Sequence, residues 1–230
     1  MSESMPEITL CRWANAEDGP FPEPVFVLDG NNLPQDLSHA SIVLRHAGGE
    51  RACELVARGA ERVLIGEAAL LDSSLIETLV KALGAEKVGV WVPARRMEVN
   101  WSLDLYSNAD FKCITPSHVK PAWEILKSDG SRSGTDAAWW LGQMLGRGAS
   151  LALLGVDIAD DTDLNLCAEL EEQFGSQLWL TPLAVAEADL LPWIVFGLAR
   201  NLVIPGLERY DEAAMLALRE ALNAQVEAAA

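Results

Sequence analysis

The stretch "SIVLRHAGGERACELVARGAERVLIG", residues 41 to 66, constrains the fold more than any other part of the chain. It opens on a short apolar run rich in β-branched residues (41–45) and closes on a second one (62–66). Between them Ala52, Leu55, Val56 and Ala60 recur at spacings of three and four, the period of a helix with one buried face. A strand–helix–strand unit of this length needs parallel strands, because the helix returns the chain to start the second strand in the same direction. Gly48 and Gly49 stand where the first strand hands over to the helix. Two roles fit them. They make a tight turn, or they let the backbone close on an anion held by the free N–H groups at the helix amino terminus.

The same rhythm recurs along the chain. Strands are expected at 25–29, 41–45, 62–66, 87–92, 150–157, 177–181 and 201–205, with an eighth at 8–13. Most are continuous apolar runs, the pattern of strands buried on both faces. Helices are expected at 49–59, 73–83, 162–174, 186–199 and 211–226, with Asp72 or Ser73 capping the second. Seven or eight such units in 230 residues predict an α/β chain folded as a (β/α)8 TIM-type barrel, a single domain over 1–230. An open doubly wound sheet is the competing layout, but no Gly-x-Gly-x-x-Gly follows the first strand.

Two segments break the rhythm. "WANAEDGPFPEP" (13–24) is too short and too rich in Pro and Gly for a helix, so the first βα unit is degenerate; residues 29–41 allow one helical turn at most. Residues 93–149 form a long insertion after the fifth strand, with a hairpin or extended loop around "RRMEVNWSLDLY", a polar stretch, and a helix near 134–146.

Charge narrows the partners. The formal net charge is −17, with acids spread along the chain, which argues against nucleic acid or an anionic membrane surface. The apolar segment 190–199 is too short to span a bilayer, and the acidic, polar amino terminus is unlike a signal peptide. Cys11, Cys53, Cys113 and Cys167 are widely separated, Cys53 and Cys167 in helical stretches where a buried thiol is ordinary. A reduced, cytoplasmic protein is expected, with no metal-ligand spacing in view and nothing that names a cofactor.

The string "GGERACELVARGAERVLIGEAALLDSSLIETLVKALGAEKVGVWVPAR" resembles the middle of the HisA/HisF family of histidine-biosynthesis barrels. "VFVLDGNN" is similar to that family's second strand, and "LLGVDIADDTDLNLCAELEEQFGSQLWLTPL" to its sixth strand, acidic loop, helix and seventh strand. The resemblance covers roughly residues 25–207 and implies the barrel and its ancestry. It does not fix the chemistry.

The departures bear on activity. The family's isomerases use one aspartate at the end of strand one and another on strand five, a pair suited to proton transfer across the mouth. Here the first strand ends in Arg12, Trp13 and Ala14, and the family's Asp-Ala-Arg reads Pro93–Ala94–Arg95. The family's Gly-Thr on strand four is Gly66–Glu67, and its seventh-strand glycine loop reads "TPLAVAE". A phosphoribosylformimino-aminoimidazole-carboxamide ribotide isomerase is therefore disfavoured, and tight bisphosphate binding with it.

Barrels of this type place their sites at the carboxyl ends of the strands. The candidates there are Asp29 and Asp157 as acid–base residues, and Arg45, Gly48, Gly49, Arg95 and Thr181 as anion or ligand contacts. His46, Glu67, Asp160 and Asp161 lie at strand ends too, and solvated loop acids are the competing account of the carboxylates. Trp139 and Trp140 are adjacent, so one helix cannot bury both; the other lies at a boundary with solvent or in an interface with an oligomer or protein partner.

Three functions follow. The chain is a divergent enzyme on a small metabolite, with a place in tetrahydromethanopterin-linked one-carbon metabolism implied by relatives of the isomerase outside histidine synthesis. It is a catalytically inactive binding or regulatory subunit. Or it is a true isomerase with relocated carboxylates.

Overall fold

Each apolar run forms a strand, and the strands close on themselves. The computed structural model describes residues 8–97, 105–107, 112–114, 120–184, 188–205, 220, 221 and 224. In chain order come β1 (Thr9–Ala14), β2 (Val25–Leu28), β3 (Ala40–Leu44), α1 (Gly49–Ala57), β4 (Arg62–Ile65), α2 (Glu67–Leu71), α3 (Ser74–Leu83) and β5 (Val88–Arg96). An excursion follows: β6 (Leu105–Ser107), β7 (Lys112–Ile114), β8 (Trp123–Leu126), β9 (Arg132–Asp136) and α4 (Ala137–Gly146). The chain then returns through β10 (Ala152–Val156), α5 (Asp161–Phe174), β11 (Leu178–Pro182), α6 (Leu191–Val195) and β12 (Asn201–Ile204).

Eight of these strands are parallel neighbours in the order β10, β11, β12, β1, β2, β3, β4, β5, and β5 pairs back onto β10. The result is a closed (β/α)8 TIM-type barrel, with Leu153 opposite Trp91 and Cys11 opposite Val203 in the ladders. Cys11, Phe26, Val43, Leu64, Trp91, Leu151, Leu153 and Val203 fill the interior. Their neighbours Ile42, Leu44, Val63, Ile65, Val90 and Leu154 point outward into the layer beneath the helices. Both faces are buried, which explains the continuous apolar runs.

The degenerate start is resolved without helices. Between β1 and β2 the chain makes only a 3-10 turn at Ala16–Asp18, and no helix separates β2 from β3. Fully buried Leu37 and nearly buried Phe21 cover Val25 and Val27 in place of a helix. Burying a leucine of this kind contributes about 2–3 kcal/mol. β1 itself stays partly exposed along Thr9, Leu10 and Arg12.

Strand β5 runs past the rim of the barrel. Val88 to Val90 pair with β4 and Val90 to Pro93 with β10, while Ala94, Arg95 and Arg96 turn to an antiparallel ladder with β8. Pro93 sits at the change of partner, where the missing N–H costs the ladder least. β8 and β9 then form a hairpin standing on the barrel mouth. Buried Asp163 ties this hairpin to α5: it accepts from Arg96 Nη2 at 3.1 Å, Trp123 Nε1 at 3.2 Å and the Ala159 N–H at 3.0 Å.

Several elements differ from expectation. The helix expected over 186–199 is the short α6; Leu198 takes φ 57°, and a side chain on Gly197 would meet the Trp193 carbonyl at 2.6 Å. Residues 185–187 lie outside the described residues, as does most of the helix expected at 211–226. Asp72 caps α3 from one residue further back than a standard cap, accepting the Ser74 N–H at 3.0 Å. Cys53 is exposed rather than buried, because Ala52 and Leu55 occupy the inner face of α1. The Cys11 thiol is buried in the barrel and pushed up to about 11 by that burial, so it stays un-ionised at neutral pH. Among the described residues no helix is long and apolar enough to cross a membrane.

Below β12, Glu171 of α5 is buried; its Oε1 accepts the Arg200 N–H at 3.1 Å, and its Oε2 has no hydrogen-bond partner among the described residues. Burial pushes its carboxyl up to about 7 from 4.5. Below 4.5 the group is protonated in both folded and unfolded chains. Between 4.5 and 7 the folded protein holds the extra proton, so stability falls as pH rises through that window and levels off above it. Glu171→Gln keeps the acceptor for Arg200 and removes the charge. Thermal melts from pH 4 to 8 are expected to show a higher Tm than the parent at pH 8 and a flatter profile between 4.5 and 7.

Candidate functional site

The mouth of the barrel is built on tryptophan. Trp13 meets Trp91 edge-on with ring centroids 5.8 Å apart and Phe26 at 6.1 Å, and Phe26 meets Trp179 at 5.4 Å. Edge-on and tilted pairs at these separations are the favoured aromatic geometries. Trp13 Nε1 donates to Thr181 Oγ1 at 2.9 Å, which satisfies both polar atoms at the top of the interior. Trp91 lies against Gly155 on the neighbouring strand, where an added Cβ would stand 2.6 Å from Trp91 Cη2. Glycine at 155 thus leaves room for the Trp91 indole, and the aromatic cluster fills the barrel where an open mouth would lead inward.

One cavity lies to the side of this cluster, between the strand ends and the β8–β9 hairpin. It holds about 260 Å³ and is open to solvent. Its floor is Trp91, Pro93, Leu70, Ile125, Trp140 and Leu183. Its polar lining is Arg45 after β3, Gly66 and Glu67 after β4, Arg95 at the end of β5, and Lys127 and Ser128 at the tip of the β8–β9 hairpin. The hairpin tip is held firmly: the Lys127 N–H reaches the Ser131 carbonyl at 2.8 Å, the Gly130 N–H reaches the Lys127 carbonyl at 2.9 Å, and Gly130 takes φ 81°. Ser128 Oγ donates to Glu67 Oε2, and His46 Nδ1 lies 3.7 Å from the same oxygen.

Sequence had singled out seven residues, which the fold distributes among different tasks. Arg45 and Arg95 come together in the cavity. Thr181 is fully buried beneath it and accepts from Trp13. Gly48 caps α1 and Gly49 begins it, and a side chain on Gly49 would stand 3.1 Å from the Leu75 side chain of α3 and press on it; neither glycine lines the cavity. Asp29 binds Arg51 of α1 through Nη2 at 2.7 Å and Nε at 3.2 Å. Asp157 Oδ1 accepts the N–H groups of Leu183 at 3.1 Å and Ala184 at 2.9 Å, holding the segment after β11 to the end of β10. Asp160 caps α5 and pairs with Arg96, whose guanidinium holds its carboxyl below the usual range. Trp140 is buried and Trp139 is 61% exposed, so the adjacent pair divides as its spacing requires.

Lys127 and Ser128 escaped the sequence reading. They lie in "KSDGSRSG", which signals a turn through Asp129–Gly130, but nothing local states which strand end that turn faces. Among the described residues no group of three or more His, Cys, Asp or Glu side chains is arranged to hold a metal ion. No family model matches the chain.

The fit of Trp91 to Gly155 is testable. Gly155→Ala drives a methyl into the indole, and overpacking of this kind costs about 1–3 kcal/mol. Urea unfolding is expected to show that loss, with a shift in native tryptophan emission as Trp91 moves.

Proposed function

We propose that this chain binds a small anionic metabolite at the β4–β5 side of its barrel mouth, as a divergent relative of the HisA/HisF barrels that has left bisphosphate isomerisation behind. One observation carries this reading. The sequence has 34 acidic and 17 basic residues, and Arg12, Arg51, Arg58, Arg96, Arg132 and Arg147 each reach a carboxylate. Arg45, Arg95 and Lys127 line one cavity, and among the described residues none of them forms an ion pair with a carboxylate. Where acids outnumber bases so heavily, cations gathered without acidic partners favour an anion from solution. The aromatic and aliphatic floor suits a planar or apolar body attached to it.

Three features support the departure from isomerisation. Pro93 occupies the position of the family's second aspartate. The indoles of Trp13 and Trp91 fill the centre of the mouth, across which a bisphosphate would stretch. Glu67 is the one carboxylate among the described residues lining the cavity, and Ser128 already occupies one of its oxygens. A single engaged carboxylate favours binding, or a conversion needing one acid–base group, over a two-aspartate proton transfer. The assignment to tetrahydromethanopterin-linked one-carbon metabolism rests on the resemblance alone.

Calorimetry with aromatic carboxylates and phosphate monoesters tests the proposal. Binding is expected in the parent. Arg45→Ala or Arg95→Ala should weaken it about tenfold or more, as for charged hydrogen bonds worth about 1.5–3 kcal/mol. Glu67→Gln should strengthen it, since a carboxylate a few ångströms from an anion costs on the order of 1 kcal/mol or more. Absence of binding across the series, or indifference to both arginines, overturns the proposal. A histidine auxotroph lacking the isomerase should not be rescued by this chain.

A further inference from the structure

We infer that the anion taken by this cavity is a dianion at one end of the ligand, and that Lys127 is the residue that selects it. The inference rests on the anion-site reading and adds the charge and the selecting residue. Arg45, Arg95 and Lys127 place three positive charges on the cavity, and Glu67 places one negative charge there. The surplus of two matches a phosphate monoester or a dicarboxylate better than a single carboxylate.

Lys127 differs from the two arginines in origin. Arg45 follows the end of β3 and Arg95 lies on the part of β5 that continues past the rim, whereas Lys127 arrives at the tip of the β8–β9 hairpin. Its backbone is fixed on both sides of the turn, at 2.8 Å to Ser131 and 2.9 Å to Gly130. The neighbouring Ser128 is bonded to Glu67 at the barrel rim, and the base of the hairpin is held at Trp123 by Asp163. The ammonium group therefore swings from a root anchored over the cavity. Asp129, the adjacent acid, feels the Lys127 charge but accepts the Ser131 N–H at 2.8 Å, forms no ion pair with Lys127 and does not line the cavity. The hairpin thus supplies a third cation to a site to which Arg45, Arg95 and Glu67 give a net charge of plus one.

The test compares matched probes on the full chain by calorimetry at constant pH 7.5 and constant ionic strength. Phenyl phosphate is set against its methyl ester, and phthalate against monomethyl phthalate. Each pair differs by one charge at nearly constant shape, and the two pairs separate a phosphate monoester from a dicarboxylate as the preferred class. The parent is expected to bind one of the dianions at least tenfold more tightly than its monoanionic partner. In Lys127→Ala that ratio should fall below about threefold with monoanion affinity little changed, and Lys127→Arg should retain most of it. Lys127 is exposed, so neither substitution disturbs the core. Equal affinity for both members of each pair in the parent, or an unchanged ratio in Lys127→Ala, overturns the inference while leaving an anion site in place. Failure of all four probes to bind overturns the anion site as well.

Discussion

Strand β5 belongs to three ladders, with β4, β10 and β8, and the rest of the structure depends on it. Its first part closes the barrel against β10; its last three residues carry the β8–β9 hairpin. The hydrogen bonds of a closed sheet leave no edge to satisfy, so the barrel needs β5 and β10 side by side despite the long excursion between them. Because the same strand continues past the rim, the excursion is delivered to the mouth rather than to the outer surface. The cavity is the space between that hairpin and the ends of β3, β4 and β5.

Packing decides where a ligand has room. Trp91 lies across Gly155, Trp13 stands against Trp91, and the pair of polar atoms on Trp13 and Thr181 satisfy each other. Large rigid rings with their polar tips bonded leave little freedom to open. A barrel of this type ordinarily offers its whole mouth to substrate; here the centre is filled and the hollows lie around it, one beside the hairpin and others beside Asp157 and beside Asn15. Charge follows the same division. Acids elsewhere hold arginines in structural pairs, such as Asp29 with Arg51 and Asp163 with Arg96, while Arg45, Arg95 and Lys127 beside the hairpin form no ion pair with a carboxylate among the described residues.

The strand pattern was legible to within a residue or two for most elements, because a strand buried on both faces writes a continuous apolar run into adjacent positions. The missing first helix was legible for an equally local reason, the density of Pro and Gly in 13–24. Expectation failed where the chain is decided by contacts between distant residues. Gly197 is glycine because Trp193 and Cys167 crowd it, and the segment 186–199 is accordingly not one helix. Cys53 is exposed because Ala52 and Leu55 take the inner face of α1, a choice of one position around the helix.

The sequence by itself determined the parallel strands, their alternation with helices, the degenerate first unit, and the presence of Arg45 and Arg95 at strand ends. All of these are local: they follow from periodicity over ten or so residues, or from one residue's place at the end of a run. That Asp29 serves Arg51, that Asp157 holds Leu183 and Ala184, and that Lys127 and Ser128 share a cavity with Arg45 and Glu67 follows from the folded arrangement. Those neighbours come from different strands and from an excursion. Their proximity is set by ladder register and barrel closure, which no short window of sequence contains.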